Sequence, residues 1–210
     1  MTHFFIVKNN EEELIKIINT FNLLDCVFLY DYDTFVKDNI IEKFKKLRIE
    51  YPVCKSLFKP GIIFNMNEIK FIPHAKKLVD FVVVPAIQNL RELIEKNRNI
   101  YVYGVENSEG YDFMHFRNSR INHVLARSAS QNKIHFLFNF SDFLNLSDKN
   151  KVILLGRLKQ NLSIYKKYKI KFQIMSFISN EFTVKLCFNN FQKLLESNKA
   201  ELIVLSDFIK

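Results

Sequence analysis

The sequence predicts an α/β fold, a TIM-like (β/α) barrel, on three observations. Short strand-like runs alternate with helical patterns about eight times in 210 residues. Several of those runs are apolar without interruption, as strands covered on both faces must be, which implies a parallel sheet with helices outside it. Only four Gly and four Pro punctuate the chain, and no Pro-, Gly- or Ser-rich linker divides it. Residues 1–210 therefore read as a single barrel domain. An open doubly wound sheet is the rival arrangement. Its nucleotide-binding versions lose support because no G-x-G-x-x-G or G-x-x-x-x-G-K-[ST] occurs.

The elements follow in order. HFFIV (3–7) is strand-like, and EEELIKIINTF (11–21) sets Leu14, Ile17, Ile18 and Phe21 at helical spacing. CVFLY (26–30) is a buried strand, and DTFVKDNIIEKFKKL (33–47) is a helix with Phe35, Val36, Ile40, Phe44 and Leu47 on one face. VCKSLF (53–58) is a weaker strand, closed by a Pro60-Gly61 turn, and GIIFNMNEIKFIPHAKKL is ambiguous. LVDFVVV (78–84), NIYVYGV (99–105), KIHFLFNF (133–140), IKFQIMSF (170–177) and ELIVLS (201–206) complete the strands. Helices are expected at 87–97, from Ser119 to Gln131 with Ser119 as N-cap, at 149–168 behind Ser147-Asp148, and at 188–198.

Composition narrows the class. The chain is 48% hydrophobic and holds 22 Phe and no Trp, enough for a sizeable core. Its net charge is +9, which attracts polyanions such as RNA, DNA or acidic membranes. A Lys, Asn, Ile and Phe bias of the kind an A/T-rich genome produces explains part of the same excess. Cys26, Cys54 and Cys187 are three in number, far apart and without C-x-x-C. That argues against disulfides and a zinc cluster, and for a reducing, cytoplasmic setting. The N-terminus turns acidic before any signal-peptide core forms, and runs such as FVVVPAI are too short to cross a bilayer.

Charge then concentrates in the second half. In RNSRINHVLARSASQNKIHF (117–136), helical spacing gathers Ile121, Val124, Leu125 and Ala129 on one side. Arg120, His123 and Arg127 fall in a narrow arc away from that side, with Arg117 just upstream. Between Glu109 and Asp142 the one acid is Asp112. An arginine ridge of this kind suits phosphate, because the planar guanidinium matches its oxygens; a plain solvated face is the other reading. KVILLGRLKQNLSIYKKYKIK (151–171) repeats the pattern, with Arg157 and six lysines outside a seam of Leu154, Leu155, Leu158, Leu162 and Tyr165.

Catalytic signatures are missing. There is no G-x-S-x-G, no H-x-H and no H-E-x-x-H. Asp31 and Asp33 in LYDYD could hold a metal, and equally cap a helix. His135 reads as a satisfied, half-buried strand residue. An autonomous metal-dependent phosphoesterase of the barrel class remains the alternative function.

The stretch RNSRINHVLARSASQNKIHFLFNFSDFLN resembles the signature of the archaeal ribonuclease P protein component 3 family, the thirty-kilodalton subunit. Its pattern is roughly R-[KN]-[DN]-S-G-[IL]-[DN]-H-V-L-A-[RK]; Arg117, Ser119, Ile121, Asn122, His123, Val124, Leu125, Ala126 and Arg127 fit it. The later SFISNEFTVKLCF is similar to the family's S-S-A-x-x-[KE]-[WY]-x-[VI]-[RK], through Phe182, Val184 and Lys185. Two departures stand out: Arg120 replaces the family's Gly, and Phe177 replaces the second Ser. The resemblance implies a barrel related to the polymerase-and-histidinol-phosphatase hydrolases without their metal site. It implies a non-catalytic subunit of an endoribonuclease that stabilises the ribonuclease P RNA, with Mg²⁺ on the RNA and precursor tRNA as substrate. It implies as partners protein component 2, in a heterotetramer, and the other protein subunits. RNA contact is expected at Arg117, Arg120, His123, Arg127, Lys171 and Lys185, with His123 either contacting RNA or holding its loop.

Overall fold

The computed structural model describes residues 3–20, 25–51, 58–86, 89–107, 112 and 117–175. Seven strands form one parallel sheet in the order β1-β2-β3-β4-β5-β6-β7. They are β1 (His3–Ile6), β2 (Cys26–Asp31), β3 (Phe58–Ile63), β4 (Phe81–Pro85), β5 (Tyr101–Tyr103), β6 (His135–Asn139) and β7 (Phe172–Met175). Among the described residues eight α-helices connect them: α1 (Glu11–Thr20), α2 (Tyr32–Lys37), α3 (Ile40–Glu50), α4 (Ile72–Leu78), α5 (Leu90–Lys96), α6 (His123–Gln131), α7 (Phe140–Leu144) and α8 (Asp148–Tyr168). The expected eighth strand, 201–206, and the helix at 188–198 lie outside the described residues, as do Cys54 and Cys187.

Strands β1 to β6 carry apolar residues on both faces. One face packs under the helices, where Phe5, Phe28, Ile62, Val84, Phe136 and Phe172 meet Leu14, Phe44, Ile94, Leu125 and Tyr165. The other face gathers Phe4, Val27, Leu29, Ile63, Val83 and Leu137. Along β1 and β2 the two sets alternate, as pleated strands require.

The inner rings show that the sheet curls. Phe4 on β1 lies 6.4 Å from Phe81 on β4 and 5.9 Å from Tyr101 on β5, centroid to centroid. At about 4.8 Å per strand, a flat sheet would set β1 and β5 about 19 Å apart. The described strands therefore form a curled α/β half-barrel with a filled interior, consistent with the TIM-like expectation and not with an open sheet.

Two local expectations are corrected, and one ambiguous stretch is resolved. Pro60-Gly61 is not a turn; both residues lie inside β3. Pairing to β4 begins only at Gly61, so the missing N–H of Pro60 costs no rung on that side. Gly61 faces the interior, where a Cβ would come 2.8 Å from Val27 Cγ1 and 2.9 Å from Leu29 Cδ2. The helix expected at 33–47 is two helices, because Asn39 takes φ 45°, a left-handed conformation that asparagine tolerates better than most residues. The ambiguous stretch is a 3-10 helix (Met66–Phe71) running into α4.

Candidate nucleic-acid interface

The loop that enters α6 is built differently from the expected helix. Ser119 is not the N-cap; Asn122 is, its side chain accepting the Leu125 N–H at 2.9 Å. The cause is Arg120, whose φ of 60° interrupts the right-handed run. Ser119 is buried instead, its Oγ accepting from Gln160 Nε2 at 3.1 Å. From Asn122 onward the periodicity holds in part: Leu125, Ala126 and Ala129 are buried, while Val124 is exposed.

Gln160 on α8 clamps the backbone of Arg117. It accepts the Arg117 N–H at 2.7 Å and donates to the Arg117 carbonyl at 3.0 Å. The Arg117 side chain is half exposed, and its Nη1 donates to Asp112 Oδ2 at 3.0 Å. It passes over Gly156, where any Cβ would lie 3.1 Å from Arg117 Cζ.

Asp112 is the hub. Its Oδ1 accepts from Arg157 Nε at 2.8 Å and from the Asn118 N–H at 2.9 Å. Burial works to raise its pKa, but the bonds from Arg157, Asn118 and Arg117 outweigh that and hold the carboxyl below its ordinary value. Arg157, expected on the positive outside, is instead buried, its Nη1 donating to the Glu106 carbonyl at 3.1 Å. Beneath it, Asn161 Nδ2 donates to Glu106 Oε1 at 3.1 Å, and burial pushes the Glu106 carboxyl up.

The expected ridge therefore divides. Arg120 is in the loop, its Nη1 donating to the Ala86 carbonyl, just beyond β4, at 3.4 Å. His123 and Arg127 are on α6 and exposed. The His123 ring lies 5.8 Å from Tyr168 at the end of α8, and Lys167 Nζ sits 5.9 Å from the same Tyr168 ring. Among the described residues Arg127 has no acidic partner. Lys171 is exposed just before β7. Lys185 lies outside the described residues.

Sequence reasoning missed the support: Asp112, Gln160, Gly156 and the inward turn of Arg157. The lone acid in a basic stretch was the available signal for Asp112; nothing in the spacing marks Gln160. Among the described residues no three His, Cys, Asp or Glu side chains gather to hold a metal. Asp31 is an exposed residue at the end of β2, and Asp33 pairs with Lys37 at 3.7 Å. His135 is half-buried, as expected, but not satisfied: among the described residues its Nδ1 has no hydrogen-bond partner. Among the described residues no helix is long and apolar enough to cross a membrane.

No protein-family model matches the chain, and no curated protein matches it. Among solved structures, it is similar to a chain from the cryo-EM structure of an archaeal ribonuclease P with mature tRNA. That likeness has a TM-score of 0.65 and 21% identity, over 87% of this chain and 75% of that one. A likeness to the Plasmodium falciparum HPPK-DHPS, bound to pterin and p-hydroxybenzoate, has a TM-score of 0.36 and 12% identity over 92% of this chain and 48% of that one. The second is too slight to support an argument. The first, at its low identity, shows a shared fold.

Proposed function

We propose that the chain is a protein subunit of ribonuclease P, of the component 3 kind, and that it braces the catalytic RNA without cutting a bond itself. The observation that carries this reading is the fold likeness, across most of the chain, to a chain solved within an archaeal ribonuclease P. The resemblance of 117–145 points to the same assembly by a separate route. In this reading residues 1–210 are one barrel related to the polymerase-and-histidinol-phosphatase hydrolases. Mg²⁺ sits on the RNA, component 2 pairs with this chain in a heterotetramer, and the complex works on precursor tRNA in the cytoplasm.

The physical role follows from the loop. A guanidinium held by Asp112 and seated on Gly156 has little rotamer freedom left to lose on meeting a phosphate. Arg117, Arg120, His123, Arg127, Lys171 and Lys185 are the proposed RNA contacts. Each neutralised phosphate releases counterions, so binding weakens steeply with salt.

The test is Arg117→Glu with Arg127→Glu, assayed for ribonuclease P RNA binding and for reconstituted cleavage at modest magnesium. We expect affinity to fall by about 10- to 100-fold and the salt dependence to flatten by roughly two charges. Unchanged affinity and cleavage would remove these contacts from the account. Cleavage of precursor tRNA by the isolated chain would overturn the brace reading itself.

A further inference from the structure

A second surface feature lies at the barrel end where parallel strands deliver their C-termini. Just beyond β2 and β3, three rings stack in a ladder. The buried Phe64 lies 5.4 Å from Tyr32 at 25°, and Tyr32 lies 4.9 Å from Phe71 at 9°. Phe71 is outermost and 38% exposed, and Met66, 64% exposed, begins the same 3-10 helix. Lys70 Nζ sits 5.0 Å over the Phe71 ring. Tyr32 occupies one face of that ring, so the ammonium covers the outward face.

The ladder is held from both sides. The Tyr32 hydroxyl and His74 Nδ1 are hydrogen bonded at 2.8 Å. The Asn65 N–H donates to the Glu68 carboxylate at 3.0 Å and closes the turn that presents Phe71. The last turn of α4 adds Lys76 and Lys77, both exposed. Phe71 covers Tyr32, which is buried, and keeps part of its own surface in solvent.

We propose that Phe71 is a stacking platform for an unpaired base of a single-stranded nucleic acid, with Lys70 moving from the ring to the strand's phosphate. The proposal rests on the RNA reading above and adds an unpaired strand as ligand. A cation over an exposed ring contributes about 2- to 5-fold in an equilibrium constant. A stacked base contributes about 5- to 150-fold, so a base displaces the ammonium with gain. The displaced Lys70 then finds a phosphate beside the base. An apolar protein surface would offer that ammonium nothing, which favours the nucleic-acid occupant.

The chain has no Trp, so Phe71→Trp creates a single fluorescent reporter. The full-length variant is titrated with a single-stranded oligouridylate and with an abasic strand of equal length. Expected is quenching by the base-bearing strand and none by the abasic one. Phe71→Leu, confirmed folded by circular dichroism, is expected to bind the oligouridylate about 5- to 150-fold more weakly with an unchanged salt slope. The proposal is overturned by absent quenching, by equal quenching from the abasic strand, or by undiminished affinity in Phe71→Leu. It is overturned too if Phe71→Leu releases a protein partner while strand affinity stays intact. Failure of the ribonuclease P reading looks different: quenching persists, but ribonuclease P RNA is bound no better than unrelated RNA.

Discussion

Arg117 rests on Gly156: a Cβ at position 156 would lie 3.1 Å from both Cζ and Nε of the arginine. Gly156 sits well inside α8, where Ala is favoured over Gly by about 1 kcal/mol. The arginine is half exposed, and a shift of a few tenths of an ångström within its seat would clear the added methyl. Gly156→Ala should therefore leave the urea midpoint equal or higher while RNA affinity falls about three- to tenfold. Stability and binding moving in opposite directions is the signature of a seat kept for a guanidinium; a joint fall would mean that the glycine serves packing alone.

Arg120 occupies a conformation suited to the residue it replaces in the family pattern, with φ at 60°. A side chain there costs roughly 1 kcal/mol that glycine does not incur. Arg120→Gly should accordingly be more stable than Arg120→Ala by about that amount in urea denaturation. Both should lose the same RNA affinity if the guanidinium is the contact.

Asp112 faces Arg157, whose side chain is only 7% exposed. Removing the carboxylate charge takes an ion-pair partner from a buried cation, a loss of about 3 kcal/mol at most. Asp112→Asn is expected to show that loss at pH 7 by denaturant unfolding, and Arg157→Met to recover part of it in a double-mutant cycle. Because the folded carboxyl sits below its ordinary value, its stabilisation is complete above the unfolded pKa and is lost progressively as pH falls from there through the lower folded value. Asp112→Asn should flatten that acid limb.

His135 is depressed from 6.5 to about 4, first by burial and then by the positive charge of Lys171. Its ring packs 4.6 Å from Tyr101. The unfolded chain takes up this proton near its ordinary value while the folded one resists it. Stability is therefore intact at neutral pH and declines as pH drops from about 6.5 to 4. At 1.36 kcal/mol per unit the limit is about 3 kcal/mol; partial exposure of the ring reduces it to roughly 1–2. His135→Phe should shrink the drop in melting temperature between pH 7 and pH 4.5.

Parts of this structure were legible in the residues alone. The apolar runs at β2 and β4 pointed to a parallel sheet, since strands covered on both faces require such runs. Pro60 and Gly61 misled because punctuation residues usually mark turns; here the glycine is small to clear Val27 and Leu29, a requirement only the neighbouring strand imposes. The ridge on 117–136 assumes helical spacing through Arg120, whose left-handed φ breaks it; the one sign of this in the sequence is that the resembled pattern has Gly at that place. Arg157 looked like surface because periodicity knows the helix face and not what packs on it. Asp112, 45 positions earlier, turns that face inward.

The strict β1-to-β7 order has a consequence for biogenesis. Every described strand hydrogen-bonds only to strands adjacent to it in the chain. Each newly made segment from β2 to β7 therefore finds its docking edge already built as the polypeptide leaves the ribosome, and none of these described strands must wait for a later one. Growth by accretion of this kind adds each strand at one advancing edge, which limits the opportunity for wrong pairings during synthesis.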